Sequence, residues 1–359
     1  MSNEVSEPPA PAHTTRHLGV GSALLAAVLF GASTPAVKAL SVGVGANAGA
    51  ALLYLGSGVG LLLLLGLKLL RAQQVALIPK GARLRFVGAI VAGGVVAPAL
   101  LLMGLRVTAA STASLLLNLE GVLTAVIAWV VFKENMDRRI LLGMLAIVTG
   151  GVVLSVDASG GFAFDVGALF VAAACLGWAI DNNLTQAASS ADPLLVAGLK
   201  GLVAGIVNVV IALALHQPFP IGVGSAALTM AAGFCGYGLS LTFFVLGLRH
   251  LGTARTGAYF GAAPFVGAVL SIVFLDEPFG WRLLVAGGLM GVGLWLHLSE
   301  RHEHEHTHEA LEHEHEHTHD EHHQHEHEGV VAKHTHRHRH VPLTHKHAHT
   351  PDLHHRHNH

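Results

Sequence analysis

Charge is scarce in this chain and cysteine scarcer. Asp, Glu, Lys and Arg together make up 12% of its 359 residues, and there are two cysteines, Cys175 and Cys235. Both cysteines fall inside apolar runs, where cysteine serves as a small packing residue, so no disulfide framework is expected. No phosphate-cradling glycine loop and no nucleophile set beside a base can be found, which argues against an enzyme. The N-terminal residues lack a basic region and a small-residue cleavage site. The first apolar run is therefore expected to remain as a helix and not to be removed as a signal peptide.

What the chain has instead is apolar length. Hydrophobic residues reach 52% and the mean hydropathy is +0.54, although the last 58 residues contribute almost nothing apolar. Between His17 and His302 the sequence runs in Ala, Leu, Val and Gly stretches of about 18 to 25 residues, enough to cross a hydrocarbon core of roughly 30 Å. The 42 glycines suit helices that pack closely in lipid. The expected fold is an all-α integral membrane protein of ten transmembrane helices. The spans fall near 18–40, 46–67, 84–105, 109–132, 139–156, 165–187, 194–215, 223–246, 252–275 and 281–299. Pro35, Pro98 and Pro264 sit inside spans, where they free backbone carbonyls and are expected to kink helices.

The spans repeat. Gly104-Leu105-Arg106 opens a stretch that closes at Glu134, and Gly247-Leu248-Arg249 opens one that closes at Glu277, with no change of register. The same 143-residue offset carries Arg139 onto Arg282 and Gly150 onto Gly293. We read an internal duplication, residues 18–156 and 165–299, preceded by a disordered arm over 1–17. Five spans per copy is an odd number, so the second copy enters the bilayer inverted, the usual architecture of secondary transporters that expose a midplane site alternately to each side. With the N-terminus inside, Arg16, Lys68, Arg71, Lys80, Arg83, Arg85, Lys133, Arg138, Arg139, Arg249, Arg255 and Arg301 face the cytoplasm, and Lys38, Arg106 and Arg282 face out. That bias places both termini in the cytoplasm of a cell whose inner membrane holds the protein.

On these patterns the chain resembles the EamA-type branch of the drug/metabolite transporter superfamily. Phe30-Gly31 followed by Pro35 and Lys38, and Leu176-Gly177-Trp178 in the second copy, match the family's small-residue break in the first helix of each repeat. Asn118-Leu119-Glu120-Gly121 stands where the family often has Leu-Glu-Pro. The second copy keeps Pro264 but has Ala263 where the glutamate would be. Glu134 and Glu277 match the family's terminal glutamates. The resemblance covers about residues 18 to 299 and implies export or exchange of a small metabolite, amino acid or drug-like solute, often driven by protons.

Charges in mid-bilayer cost at least ~2.5–3.5 kcal/mol each, so those present face the bundle interior or water. Glu120, with Asn118 two residues before it, is either a proton-coupling carboxylate or a hydrogen-bonded helix contact. Asp181, Asn182 and Asn183 are consecutive and cannot share a helix face at 100° per step, so one faces a cavity or the helix breaks there. Lys200 can neutralise Asp181 or Glu120, bind an anionic solute, or snorkel to the interface. Lys38 and Arg255 read mainly as interface and topology charges, and Tyr54, Tyr237 and Tyr259 as packing by default. Glu134 and Glu277 are expected to tie short loops through Arg138, Arg139 or Arg282.

After Arg301 the composition changes. Of 28 histidines, 23 lie between His302 and His359. Nothing there can build a core, so the tail (302–359) is expected to be disordered and cytoplasmic. His302, His304, His306, His308, His313, His315, His317 and His319 alternate mainly with acid. His334, His336, His338 and His340 alternate mainly with base. Neutral imidazoles so spaced can meet one ion on a flexible chain, and Zn²⁺, Ni²⁺, Co²⁺ and Cu²⁺ all suit them. A pH-responsive polycation and a neutral appendage are the rivals. Three functions remain open: a gradient-driven exporter with an accessory metal-binding tail, a carrier of divalent metal or its chelate, and a membrane-tethered metal buffer. The spans lack histidines and cysteines at ligand spacing, and His216, His250 and His297 lie near span ends, which favours the first. The lipid bilayer, a small solute and divalent ions at the tail are the expected partners. Nucleic acid is not expected, no cofactor is required, and a homodimer is left open.

Overall fold

The computed structural model describes residues 14–132, 138–155, 165–188, 190–220, 222–251 and 253–298, with 303–308, 312–317, 334–339 and 343–348 in the tail. Residues through Ser299 form one compact unit and those from Glu300 another. Among its described residues the regular structure of the first unit is all helical. Its helices are α1 (Thr14–Leu40), α2 (Ala46–Leu70), α3 (Lys80–Val107), α4 (Ala110–Val131), α5 (Arg138–Ser155), α6 (Val166–Ala188), α7 (Pro193–Ala214) and α8 (Val223–Gly247). Two pieces, Thr253–Phe260 and Ala263–Phe274, make up α9, and Trp281–Leu298 is α10. Among the described residues eight helices are long and apolar enough to cross a membrane, and Ala263–Phe274 and Trp281–Leu296 are shorter apolar helices. Helix α1 begins at Thr14, inside the expected arm, and the rest of that arm lies outside the described residues.

Two spans read as continuous are interrupted. In α4 a turn at Leu117 separates Ala110–Leu116 from Asn118–Phe132. In α9 Gly261 and Ala262 separate the two pieces. Prolines account for part of this. Pro98 and Pro264 stand in the first turn of a helical segment, where a missing N–H costs nothing, so they restart helices instead of kinking them. Each third span also carries a π-helical turn, Ile90–Val96 in α3 and Phe234–Leu239 in α8. These end 143 residues apart, the offset that relates the two sequence copies.

Packing follows the same exchange. Helix α2 lies along α7, α5 along α10, and α4 crosses α9. The contact of α1 with α8 has its counterpart in α6 with α3, and α1 with α9 in α6 with α4. Moving every helix forward by five turns each of these pairings into itself or into another on the list. The centre of the unit, between the copies, is where α1, α3, α4, α6 and α8 converge.

In the tail, β1 (Glu303–His308) pairs antiparallel with β4 (Leu343–Ala348), and β2 (Glu312–His317) with β3 (His334–Arg339). Regular structure in four segments departs from the expected disorder.

Candidate solute site

The polar residues singled out in α4, α6 and α7 come together at the seam between the copies. Helix α6 runs unbroken past its three consecutive polar residues, and each finds a different partner. Asp181 is buried and receives Lys200 Nζ from α7 at 2.9 and 2.7 Å, with Thr185 Oγ1 donating to it at 2.8 Å. Lys200 therefore neutralises Asp181, not Glu120. Asn182 turns toward α4, where its Nδ2 donates to Glu120 Oε1 at 2.8 Å and to Thr124 Oγ1 at 3.4 Å. Asn183 donates to the Thr124 carbonyl at 3.2 Å and to its own helix at Ala179. Among the described residues no cation lies within ion-pair distance of Glu120. Among the described residues the site thus holds one carboxylate within ion-pair distance of a cation and one beyond it.

Asn118 does not reach this group. It is buried and its Nδ2 donates to the Leu115 carbonyl at 2.9 Å, with Met290 Sδ at 3.9 Å, so it serves the helix break at Leu117.

One turn before Asn182 on α6, Trp178 begins an aromatic chain. Its Nε1 donates to the Gly93 carbonyl at 3.0 Å, and Tyr54 OH donates to the same oxygen at 2.7 Å. Asn208 Nδ2 donates to the Gly94 carbonyl at 3.0 Å. Both carbonyls belong to the π turn of α3, whose widened ladder leaves backbone oxygens to be satisfied by side chains, as lipid-embedded backbone requires. Tyr54 stacks on Tyr237 at 5.7 Å, Tyr237 meets Phe30 edge-on at 6.1 Å, and Phe30 packs on Phe260. These rings come from α1, α2, α8 and α9, so they too cross between the copies. Asn208, a lone amide in an apolar run and fully buried, was not singled out from the sequence; its isolation there was the available signal. Tyr54, read as packing, has a polar task as well.

At the helix end where α4 begins, Glu277 binds the backbone N–H of Ala110 through Oε1 at 2.6 Å and that of Ser111 through Oε2 at 2.8 Å. Lys38 Nζ lies 3.7 Å from Glu277 Oε1 and donates to the Thr108 carbonyl at 2.5 Å. Glu277 therefore ties the two copies together, while Arg282, its expected partner, donates to the Val153 carbonyl at 2.6 Å. Burial pushes the Glu277 carboxyl up, but the Ser111 and Ala110 donors and Lys38 outweigh it and hold the group below its usual range. Beside Lys38 opens a cavity of about 560 Å³ lined also by Ser41, Gly43, Arg106, Gln217 and Pro218. At the opposite end Lys68 of α2 pairs with Asp192, the N-cap of α7.

Among the described residues no three His, Cys, Asp or Glu side chains gather as a metal site. His302, His319 and His340, like Glu134, lie outside the described residues, and the other nine candidate tail histidines are described in backbone only.

Comparison with known proteins places these features. An uncharacterized transporter of Methanothermobacter thermautotrophicus is 28% identical over 209 residues, 56% of this chain and 60% of that protein. The uncharacterized transporter YyaM of Bacillus subtilis is 24% identical over 214 residues, 55% of this chain and 68% of that one. The match thus spans about three fifths of the length of the first. A solved crystal structure shares the fold with a TM-score of 0.58 at 19% identity, over 77% of this chain and 95% of its own. Residues 17–156 and 165–299 each match the EamA-like transporter family, two copies in tandem that together take in most of the chain. The chain belongs to the EamA-like transporter family.

Proposed function

We propose that this protein is a secondary-active transporter of small organic solutes, an exporter of a metabolite, amino acid or drug-like compound. In this reading the two copies are inverted five-helix halves of a ten-span inner-membrane protein with both termini in the cytoplasm, and they rock about the central seam to expose the site to one side at a time. The observation that carries the reading is Glu120, a mid-span carboxylate on one copy whose described side-chain partner, Asn182, is on the other. A carboxylate at that depth is retained where it has work to do, and binding at the interface of two repeats suits alternating access. Proton and solute would compete for Glu120, while Asp181, held by Lys200, keeps the neighbouring helix pair fixed. The tail binds divalent metal as an accessory to this core.

The test is flux in vesicles reconstituted with the full chain, loaded with a panel of metabolites, amino acids and cationic drugs, with and without a proton gradient. Glu120→Gln is expected to abolish gradient-driven flux while leaving expression and detergent elution intact. Gradient-driven flux that survives the substitution would remove Glu120 from the coupling step. Flux of Ni²⁺, Co²⁺ or Zn²⁺ that persists after truncation at Arg301 would instead make metal or its chelate the cargo.

A further inference from the structure

We propose that Glu277 is the positioning residue that keeps the site sealed from the Lys38 end, by holding the start of α4 against the opposite copy. The inference rests on the transporter reading above, but its test does not need a known solute.

The stretch from Thr108 to Ser111 joins α3 to α4 and is held from two directions. Thr108 Oγ1 donates to Asp165, the N-cap of α6, at 3.0 Å to either carboxylate oxygen. Two residues further on, the Ala110 and Ser111 amides go to the two oxygens of Glu277, from the loop between α9 and α10. Both acids belong to the second copy and the amides to the first. The same end carries further bonds between the copies: Gly45 N–H donates to the Pro218 carbonyl at 2.7 Å, Asn47 N–H to Gln217 Oε1 at 2.8 Å, Gln217 Nε2 to Asn47 Oδ1 at 3.0 Å, and Arg282 to the Val153 carbonyl. Of these ties, Glu277 alone binds the first turn of the helix that carries Glu120.

Behind the tie Ser114, one turn further into α4, is fully buried, and among the described residues its hydroxyl has no hydrogen-bond partner. A hydroxyl left so is satisfied only when water or another group reaches it. Release of Glu277 frees the first turn of α4 to move away from α9, admits water past Ser114, and opens a route from the Lys38 cavity toward Glu120. A carboxylate is suited to this because it accepts from two N–H groups at once, whereas an amide presents one oxygen and turns an NH₂ toward the second donor. Lys38, further away and half-exposed, steadies Glu277 without making the seal.

The experiment uses the full chain in oriented vesicles, with Cys175 and Cys235 changed to alanine and Ser114→Cys as reporter. A membrane-impermeant maleimide is applied from the Lys38 side. With Glu277 intact, labelling is expected to be slow; Glu277→Gln should raise its rate at least about five-fold, and Glu277→Asp should restore most of the protection. Affinity for a transported solute, measured at equilibrium, should stay within about two-fold, while maximal flux falls, so that the loss appears in turnover and not in binding. Unchanged labelling in a Glu277→Gln protein that elutes as folded would overturn the proposal, whatever its transport does. If that variant does not fold, Ser111→Cys with Glu277→Cys, bridged by a short bis-maleimide, takes its place. Bridging should then stop flux and cleavage of a reducible bridge restore it; undiminished flux in the bridged protein would equally overturn the proposal. Absence of any flux in the parent protein, with the labelling pattern as expected, would count against the transporter reading and not against the seal.

Discussion

Gly150 and Gly293 stand in reciprocal places at the crossing of α5 and α10. A Cβ on Gly150 would lie 3.0 Å from the Ala286 carbonyl oxygen, and one on Gly293 2.5 Å from the carbonyl oxygen of Gly143. Residues 143 and 286, and 150 and 293, are each one repeat apart, so each helix presents the same glycine to the same turn of its partner. The two contacts follow one rule, each made at the position one repeat away from the other.

The reciprocity is not perfect, and the difference makes a prediction. In front of Gly150 the nearest atom is the flexible Met290 side chain at 2.8 Å, whereas Gly293 faces backbone first. Alanine within a helix gains up to about 1 kcal/mol over glycine, and overpacking costs about 1–3 kcal/mol. Gly150→Ala should therefore be close to neutral and Gly293→Ala destabilising by about 1–2 kcal/mol. Thermal unfolding of the purified protein in one detergent checks the order; a lower midpoint for Gly150→Ala would contradict it.

The repeat was legible in the sequence because a strict 143-residue offset preserves Gly, Arg and Glu at positions where lipid-facing Leu and Val drift freely. The interruptions were not. Leu117 has nothing in its own chemistry to end a helix, and a π turn uses the same residue types as the α-helix around it, with Gly93, Gly94, Gly236 and Gly238 as faint hints. Partner choice was harder still. That Lys200 would take Asp181 and leave Glu120 to Asn182 depends on which helix faces of α6 and α7 meet, and spacing along one helix does not fix that. Glu277 was assigned to a neighbour in sequence, Arg282, because local pairing is all a loop shows; its true partners are 166 and 167 residues away.

Asp181 and Lys200 form the pair most exposed to disruption. Their side chains are 4% and 20% accessible, and removal of one partner strands the other in a low-dielectric interior. Lys200→Met should lower stability by about 3–5 kcal/mol, the usual cost of leaving a buried charge alone. Adding Asp181→Asn should recover a large part, since no charge is then left without its partner. A double variant less stable than Lys200→Met alone would mean that the pair does not act as a unit.

The tail should be separable from the core. Truncation after Arg301 removes 23 of 28 histidines and leaves every described helix untouched. Solute flux is expected to stay within about two-fold, while Ni²⁺ and Zn²⁺ binding, followed by equilibrium dialysis at pH 7.5, falls to a small fraction of the full-length value. Binding should also fail in the full chain below about pH 5.5, because imidazole with an ordinary value near 6.5 must lose its proton to ligate. Retention of metal by the truncated protein would move the site into the membrane unit.

Glu277 sets a pH dependence whose sign follows from its surroundings. Lys38 faces it from α1 and the Ala110 and Ser111 donors from α4; Asp276 precedes it in its own loop, and Asp165 acts at one remove through Thr108. The Ser111 and Ala110 donors and Lys38 outweigh burial and hold its folded-state value below that of the unfolded chain, where a glutamate titrates near ~4.3. Its contribution to stability is therefore fully present above about pH 5 and is lost as pH falls through the folded-state value. Wild type and Glu277→Gln should differ in unfolding midpoint by a constant amount from about pH 8 to pH 5, and the two curves should converge as the pH falls below the ordinary glutamate range and through the lowered folded-state value. Curves that stay parallel to the lowest pH would mean that the glutamate acts there by shape and not by charge.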